Sequence, residues 1–182
     1  MIKLSSLMNF DISDSDDGMT ISIWLQGCPH RCKGCHNPET WDFNGGHNLQ
    51  DEIFKSQIYD AMKTLYNKCN RVNISILGGE PLCSENIIYT RKIIEIVKNL
   101  GIPINKIYLW TGYYYKTELK KISKSNKDLK YILKKIDILI DGRFELDKRD
   151  TSLKLRGSSN QNIYKRKYYF FNMISKLILD NS

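Results

Sequence analysis

The sequence predicts an α/β fold, a partial (β/α) barrel of parallel strands with a cysteine-rich loop leaving the first strand. Three observations carry this expectation. Four short apolar runs, "TISIWLQ", "RVNISIL", "KIYLWTGY" and "IDILIDGRF", each end at or lead into a glycine-containing turn. Stretches with helical spacing of apolar residues separate them, the alternation that builds parallel sheets through crossover connections. At 182 residues the chain is too short for a closed eight-unit barrel, which takes about 250, yet long enough for one domain with its own core.

Residues 20 to 26 are β-branched and alternating and stop at Gly27, so the first strand delivers the chain into "GCPHRCKGCHNPETW". A helix follows, with Phe54, Ile58, Ala61, Met62 and Leu65 on one face and Asn48 as its N-cap. "RVNISIL" is the second strand and runs into "GGEP". Ser84 caps the next helix, whose stripe Ile87, Ile94 and Val97 ends at Gly101 with Pro103 beyond. The third and fourth strands end in "WTGY" and "DGRF". Between them a Lys-rich segment keeps Leu119, Ile122, Leu129, Ile132 and Leu133 near helical spacing. Parallel α/β sheets carry their sites at the carboxyl ends of the strands, so these four turns are expected to converge.

Composition excludes several classes. With 41% hydrophobic and 26% charged residues the chain is expected to fold. The N-terminus lacks the apolar core of a signal peptide and no window stays apolar for about 18 residues, so a cytoplasmic protein without membrane spans is expected. The net charge of +8 belongs to one region: residues 113 to 167 hold 16 Lys and Arg against 7 Asp and Glu. Its apolar periodicity reads as solvated helix faces rather than a nucleic-acid surface.

Five cysteines are an odd number for a disulfide framework. Cys28, Cys32 and Cys35 stand at spacing C-x3-C-x2-C, while Cys69 and Cys83 read as buried small apolar residues. A structural zinc site needs a fourth ligand, for which His30, His36, Cys69 and Cys83 are candidates, but no second knuckle is present. A [4Fe-4S] cluster usually takes four cysteines. Given three, it keeps one iron open to a small chelating molecule.

The spacing, followed by the ring of His36 and joined by "GGEP", resembles the radical S-adenosylmethionine enzymes. The further stretches "GCHNPETW", "WTGY", "LIDGRF" and "DTSLKLRGSSNQ" resemble the activases of anaerobic (class III) ribonucleoside-triphosphate reductases. The likeness covers residues 8 to 162 of a single radical S-adenosylmethionine domain, 1–182, with 163–182 as a C-terminal extension. Many members have an Asn-Gly-Pro-Gly turn where this chain reads "DSDDG".

The resemblance implies that Cys28, Cys32 and Cys35 hold the cluster and that S-adenosylmethionine chelates its fourth iron. It places Gly34, Cys35 and His36 beside the adenine, and Gly78 and Gly79 at the methionine end, where the backbone must approach closely. It implies a flavodoxin- or ferredoxin-type electron donor and, as partner, the large reductase subunit, on which a glycyl radical is made. It also suggests a monovalent cation held by Asp141 with Thr111, although Asp141 reads equally as a turn aspartate or a partner of Arg143. His30 and His47 have no assigned partner, and Trp24 and Trp41 read as packing. Two alternatives stand: an activase of another glycyl radical enzyme, and a structural zinc module.

Overall fold

The computed structural model describes residues 1–169 and 174–180. One eight-stranded sheet runs in the order β3-β1-β2-β4-β5-β6-β7-β8. In chain order its elements are β1 (Ile2–Asp11), β2 (Thr20–Leu25), β3 (His47–Leu49), α1 (Asp51–Cys69), β4 (Asn73–Gly78), α2 (Ile87–Asn99) and β5 (Lys106–Thr111). A π-helical turn, Tyr115–Leu119, then leads into α3 (Lys120–Ile122) and α4 (Lys127–Lys135), followed by β6 (Ile138–Asp141), β7 (Asn162–Tyr169) and β8 (Ile174–Leu179).

The four expected strands are the parallel centre, β2, β4, β5 and β6, in register Ser22↔Ser75 and Ser75↔Tyr108. The α/β expectation with parallel strands holds for that centre, whereas the sheet as a whole is mixed and does not form a partial parallel barrel. Antiparallel β1 and β3 flank one side and antiparallel β7 and β8 the other, and the sheet stays open at β3 and β8. The cysteine loop therefore follows the second strand of the chain, which is the first of the parallel set. Strand β1 escapes a period-two reading because its register shifts between Leu4 and Ser6. Ile2 and Leu4 are buried, after which Leu7 and Phe10 pack on the core out of phase.

The crossover helices share one face. Phe54, Ile58 and Leu65 of α1, Ile93, Ile94 and Val97 of α2, and Leu129 and Ile132 of α4 pack with Ile21, Ile23, Ile74, Ile76, Ile107 and Leu109. Two helix starts move inward from expectation. Gln50 precedes α1 while Asn48 lies in β3, and Asn86 rather than Ser84 precedes α2. The Lys-rich segment breaks after Ile122, which is 40% exposed. It restarts at Asn126, whose side chain accepts the Leu129 N–H at 2.9 Å.

On the opposite face β2, β4 and β5 present Ser22, Ser75 and Tyr108. The acidic segment 11–17 lies across them. Ser75 Oγ donates to the Asp14 carbonyl at 2.6 Å, Ser22 Oγ to the Asp14 carboxylate at 2.8 Å, and Tyr108 Oη to Asp16 at 2.5 Å. Cys83 is buried, but Cys69 is exposed, with its thiol 3.9 Å from Met19 Sδ, so only one of these two cysteines is a core residue. Among the described residues, no helix is long and apolar enough to cross a membrane.

Candidate functional site

Strands β2, β4, β5 and β6 deliver their four turns to a single cleft of about 450 Å³. Its wall carries Cys28, Cys32 and Cys35 together with Gly79, Thr111 and Phe144, and it runs along the sheet face opposite the helices past Trp24 and Trp110 to Asp14. Cys69 and Cys83 are not on that wall.

The thiol loop is closed at its base. Gly27 N–H donates to the Thr40 carbonyl at 2.8 Å and Cys28 N–H to that of Trp41 at 3.1 Å, while Cys35 N–H meets the Cys32 carbonyl at 3.0 Å. Gly27 has φ +99°, and a Cβ there would overlap the Phe43 ring at 2.2 Å. Burial pushes the Cys28 thiol up to about 11, against backbone N–H groups of His30 and Arg31 that favour its thiolate. Burial raises Cys32 too, with the Phe144 N–H opposing it, and Asn37 N–H points at Cys35 Sγ from 3.4 Å. Amide donors on each sulfur suit thiolates that a metal has deprotonated. Among the described residues no three His, Cys, Asp or Glu side chains are grouped to hold a single metal ion. A cubane asks for less convergence, since each iron takes one thiolate.

Of the residues expected beside the cofactor, Cys35 and His36 line the cleft, as do Gly78, Gly79 and Thr111, whereas Gly34 does not. Gly34 has φ +75° and sits against Leu146, where a Cβ would come within 2.9 Å of Cδ1. The His36 ring lies 5.3 Å from that of Phe144, tying the loop to "DGRF". Gly79 is glycine for a reason internal to the fold: a Cβ would stand 2.2 Å from the Gly27 carbonyl, one residue before Cys28. Gly78 has φ +106° and meets the backbone of Leu25 and Trp24 in the same way.

The cation expectation for Asp141 meets a contrary geometry. Asp141 is fully buried and off the cleft wall. It accepts the Tyr115 N–H at 2.6 Å and Asn162 Nδ2 at 2.9 Å, so its carboxylate anchors the segment after β5 and the start of β7. Arg143 pairs with Glu118 at 3.1 Å instead. Thr111 spends its hydroxyl proton on Glu80, 2.7 Å away.

Glu80, the acid of "GGEP", was read for its neighbouring glycines alone and is the principal residue missed. It is 1% exposed. Oε1 accepts from Leu82 N–H at 2.9 Å and Thr111 Oγ1 at 2.7 Å, and Oε2 from Gly112 N–H at 2.7 Å and His30 Nε2 at 2.8 Å. Four donors fill its four lone-pair positions. An acid directly after two glycines at the end of a buried strand was the available signal. "RGSSNQ" is likewise a brace. Gln161 accepts the N–H groups of Gly157 and Ser158 at 2.8 and 3.1 Å and donates to the Gly142 carbonyl at 2.9 Å, while Asn160 donates to that of Arg143 at 2.8 Å. The indole nitrogens of Trp24 and Trp41 are buried without a partner, and both residues border the cleft.

Residues 16–164 match the family model of the 4Fe-4S single cluster domain. The chain is 36% identical over 153 residues to a Pasteurella multocida protein, covering 84% of this chain and 91% of that one. It is 34% identical to a Haemophilus influenzae relative over 83% and 90% of the two chains, and 32% identical to one from Escherichia coli K12 over 81% and 88%. All three are named anaerobic ribonucleoside-triphosphate reductase-activating proteins. The cleft, its three thiols and these likenesses agree: the chain belongs to the 4Fe-4S single cluster domain family, in the branch formed by those activating proteins.

Proposed function

We propose that the chain is a radical S-adenosylmethionine activase whose partner is the large subunit of an anaerobic ribonucleoside-triphosphate reductase. The carrying observation is the meeting of three thiols with the "GGEP", "WTGY" and "DGRF" turns around one cleft. Cys28, Cys32 and Cys35 would hold a [4Fe-4S] cluster, with no fourth cysteine on the wall to close it. When bound, that cluster would supply the electron, drawn from a flavodoxin- or ferredoxin-type donor, for reductive cleavage of S-adenosylmethionine, the chemistry by which a hydrogen atom would be removed from a reductase glycine to leave a glycyl radical.

The protein's share is binding, orientation and exclusion of water. Backbone at Gly79 and Gly112 approaches the cofactor while Glu80, behind them, fixes both turns. The rings of His36 and Phe144, tilted 46° to each other, offer aromatic surface for a planar base. Trp24 and Trp110 line the cleft on the face opposite the helices, where the partner's glycine segment would enter. Protein reconstituted anaerobically with iron and sulfide is expected to turn brown. On reduction it should convert S-adenosylmethionine to 5′-deoxyadenosine and methionine, measured by chromatography. Zinc with no iron uptake, or a loaded cluster that leaves S-adenosylmethionine intact, would refute the reading.

A further inference from the structure

The crest of the thiol loop meets the "GGEP", "WTGY" and "DGRF" turns through one side chain, His30. Its side chain is 7% exposed, although it lies in a polar loop. Nε2 reaches Glu80 Oε2 at 2.8 Å, and Arg143 Nε donates to Nδ1 at 3.3 Å. With Nδ1 accepting, the ring proton sits on Nε2 and Glu80 receives it. The ring edge meets Tyr113 at 4.7 Å and 73°. Gly112 leaves room for it, since a Cβ there would stand 2.3 Å from His30 Cδ2. Both nitrogens are thus engaged, by "GGEP" and "DGRF", and the ring is seated on "WTGY".

The base of the loop does not depend on this ring. Gly27 and Cys28 are held by Thr40 and Trp41, and the Gly27 carbonyl accepts from Glu80 N–H at 2.8 Å and Asn86 Nδ2 at 3.0 Å. The ring ties residues 28 to 32 to the turns that carry Gly79 and Gly112, through Glu80 and through its packing on Gly112. Without the ring, Glu80 loses one of its four donors and the Gly112 turn loses the body it packs on.

We propose that His30 is a positioning residue that locks the thiol loop to the cofactor-facing turns through Glu80, so that its loss uncouples cofactor binding from a cluster that still assembles. The proposal rests on the radical S-adenosylmethionine reading above.

The test compares full-length wild type, His30→Ala and His30→Gln, the last keeping an N–H donor for Glu80, all reconstituted anaerobically. Iron and sulfide content, S-adenosylmethionine affinity by equilibrium dialysis, and the electron paramagnetic resonance spectrum of the reduced cluster with and without S-adenosylmethionine are read. His30→Ala is expected to load iron as wild type does. Its affinity should fall roughly ten- to hundredfold, the scale of one lost hydrogen bond to a charged group. The spectral change on adding S-adenosylmethionine should vanish at concentrations that saturate wild type, and His30→Gln should restore most of both. Equal affinity in His30→Ala and wild type, equal impairment in both variants, or failure of both to take up iron would overturn the proposal. A loaded wild type that shows no response to S-adenosylmethionine would instead remove the activase reading, and this one with it.

Discussion

On the helix-covered face Ile21, Ile23, Ile74, Ile76, Ile107 and Leu109 are fully buried against α1, α2 and α4. One residue along each strand, the opposite face carries Ser22, Ser75 and Tyr108 under an acidic segment, with Trp24 and Trp110 nearer the cleft. The same strands therefore divide their work. The first face supplies most of the apolar burial that holds the sheet together, whereas the second is buried through polar contacts and a small cluster of Tyr108, Ile138, Ile140 and Ile163, and opens only toward the strand ends, where the cleft lies. Substitutions on the two faces should separate stability from chemistry.

The largest separation is expected from the thiols. Removing any one of Cys28, Cys32 and Cys35 should abolish cluster assembly with little change in melting temperature, whereas Cys69→Ala and Cys83→Ala should keep the cluster. Iron analysis beside thermal denaturation reads both, and loss of the cluster in folded Cys69→Ala or Cys83→Ala would break the three-ligand assignment. Next, Phe54→Ala empties a fully buried site in the helix-side core and should cost about 3–5 kcal/mol of stability. Its iron content per folded molecule should be unchanged, as denaturant titration of the loaded protein can check.

Gly79→Val sharpens the boundary between the faces. Because its Cβ would stand 2.2 Å from the Gly27 carbonyl, the variant should lose cluster and cofactor binding together. A brown variant with weak S-adenosylmethionine binding alone would mean that the strain is relieved on the cofactor side. The smallest effect is expected at Asp14, on the floor of the cleft, whose pKa burial pushes up to about 6. The folded state then holds this proton more tightly than the unfolded one. Its contribution is complete below about pH 4 and is lost as pH rises through 6, up to about 2 kcal/mol in all once solvent screening of this partly exposed group is allowed for. Asp14→Asn should therefore match wild type near pH 4 and exceed it in stability at pH 7 and above, by denaturant titration at both values.

The helix-covered face was legible in the sequence because burial on one side writes periodicity into the chain. The stripe Phe54, Ile58, Ala61, Met62 and Leu65 is the buried face of α1, as spacing alone implies. The opposite face was not legible, since Ser22 and Ser75 pair with an acidic segment whose path no local pattern states. The cysteine loop was visible by spacing, yet its lock was not. His30 and Glu80 are 50 positions apart, Thr111 is 31 from Glu80 and Arg143 is 113 from His30, so only the fold brings them together. Strand β1 was hidden by its shift in register. Strands β7 and β8 were hidden because Lys and Arg interrupt the apolar run of an edge hairpin. For Asp141 the sequence left a cation ligand and a turn acceptor side by side, and the fold adds that its carboxylate accepts from Tyr115 N–H and Asn162 Nδ2.

The central claim is that the cleft generates a glycyl radical on a separate protein. Electron paramagnetic resonance of the anaerobic reductase, mixed with reconstituted chain, a one-electron reductant and S-adenosylmethionine, tests it directly. The account requires a glycyl-radical doublet that appears only when S-adenosylmethionine and reductant are both present, and that Cys32→Ala fails to produce. A reductase that becomes active without S-adenosylmethionine, or stays silent with fully loaded wild type, would contradict it.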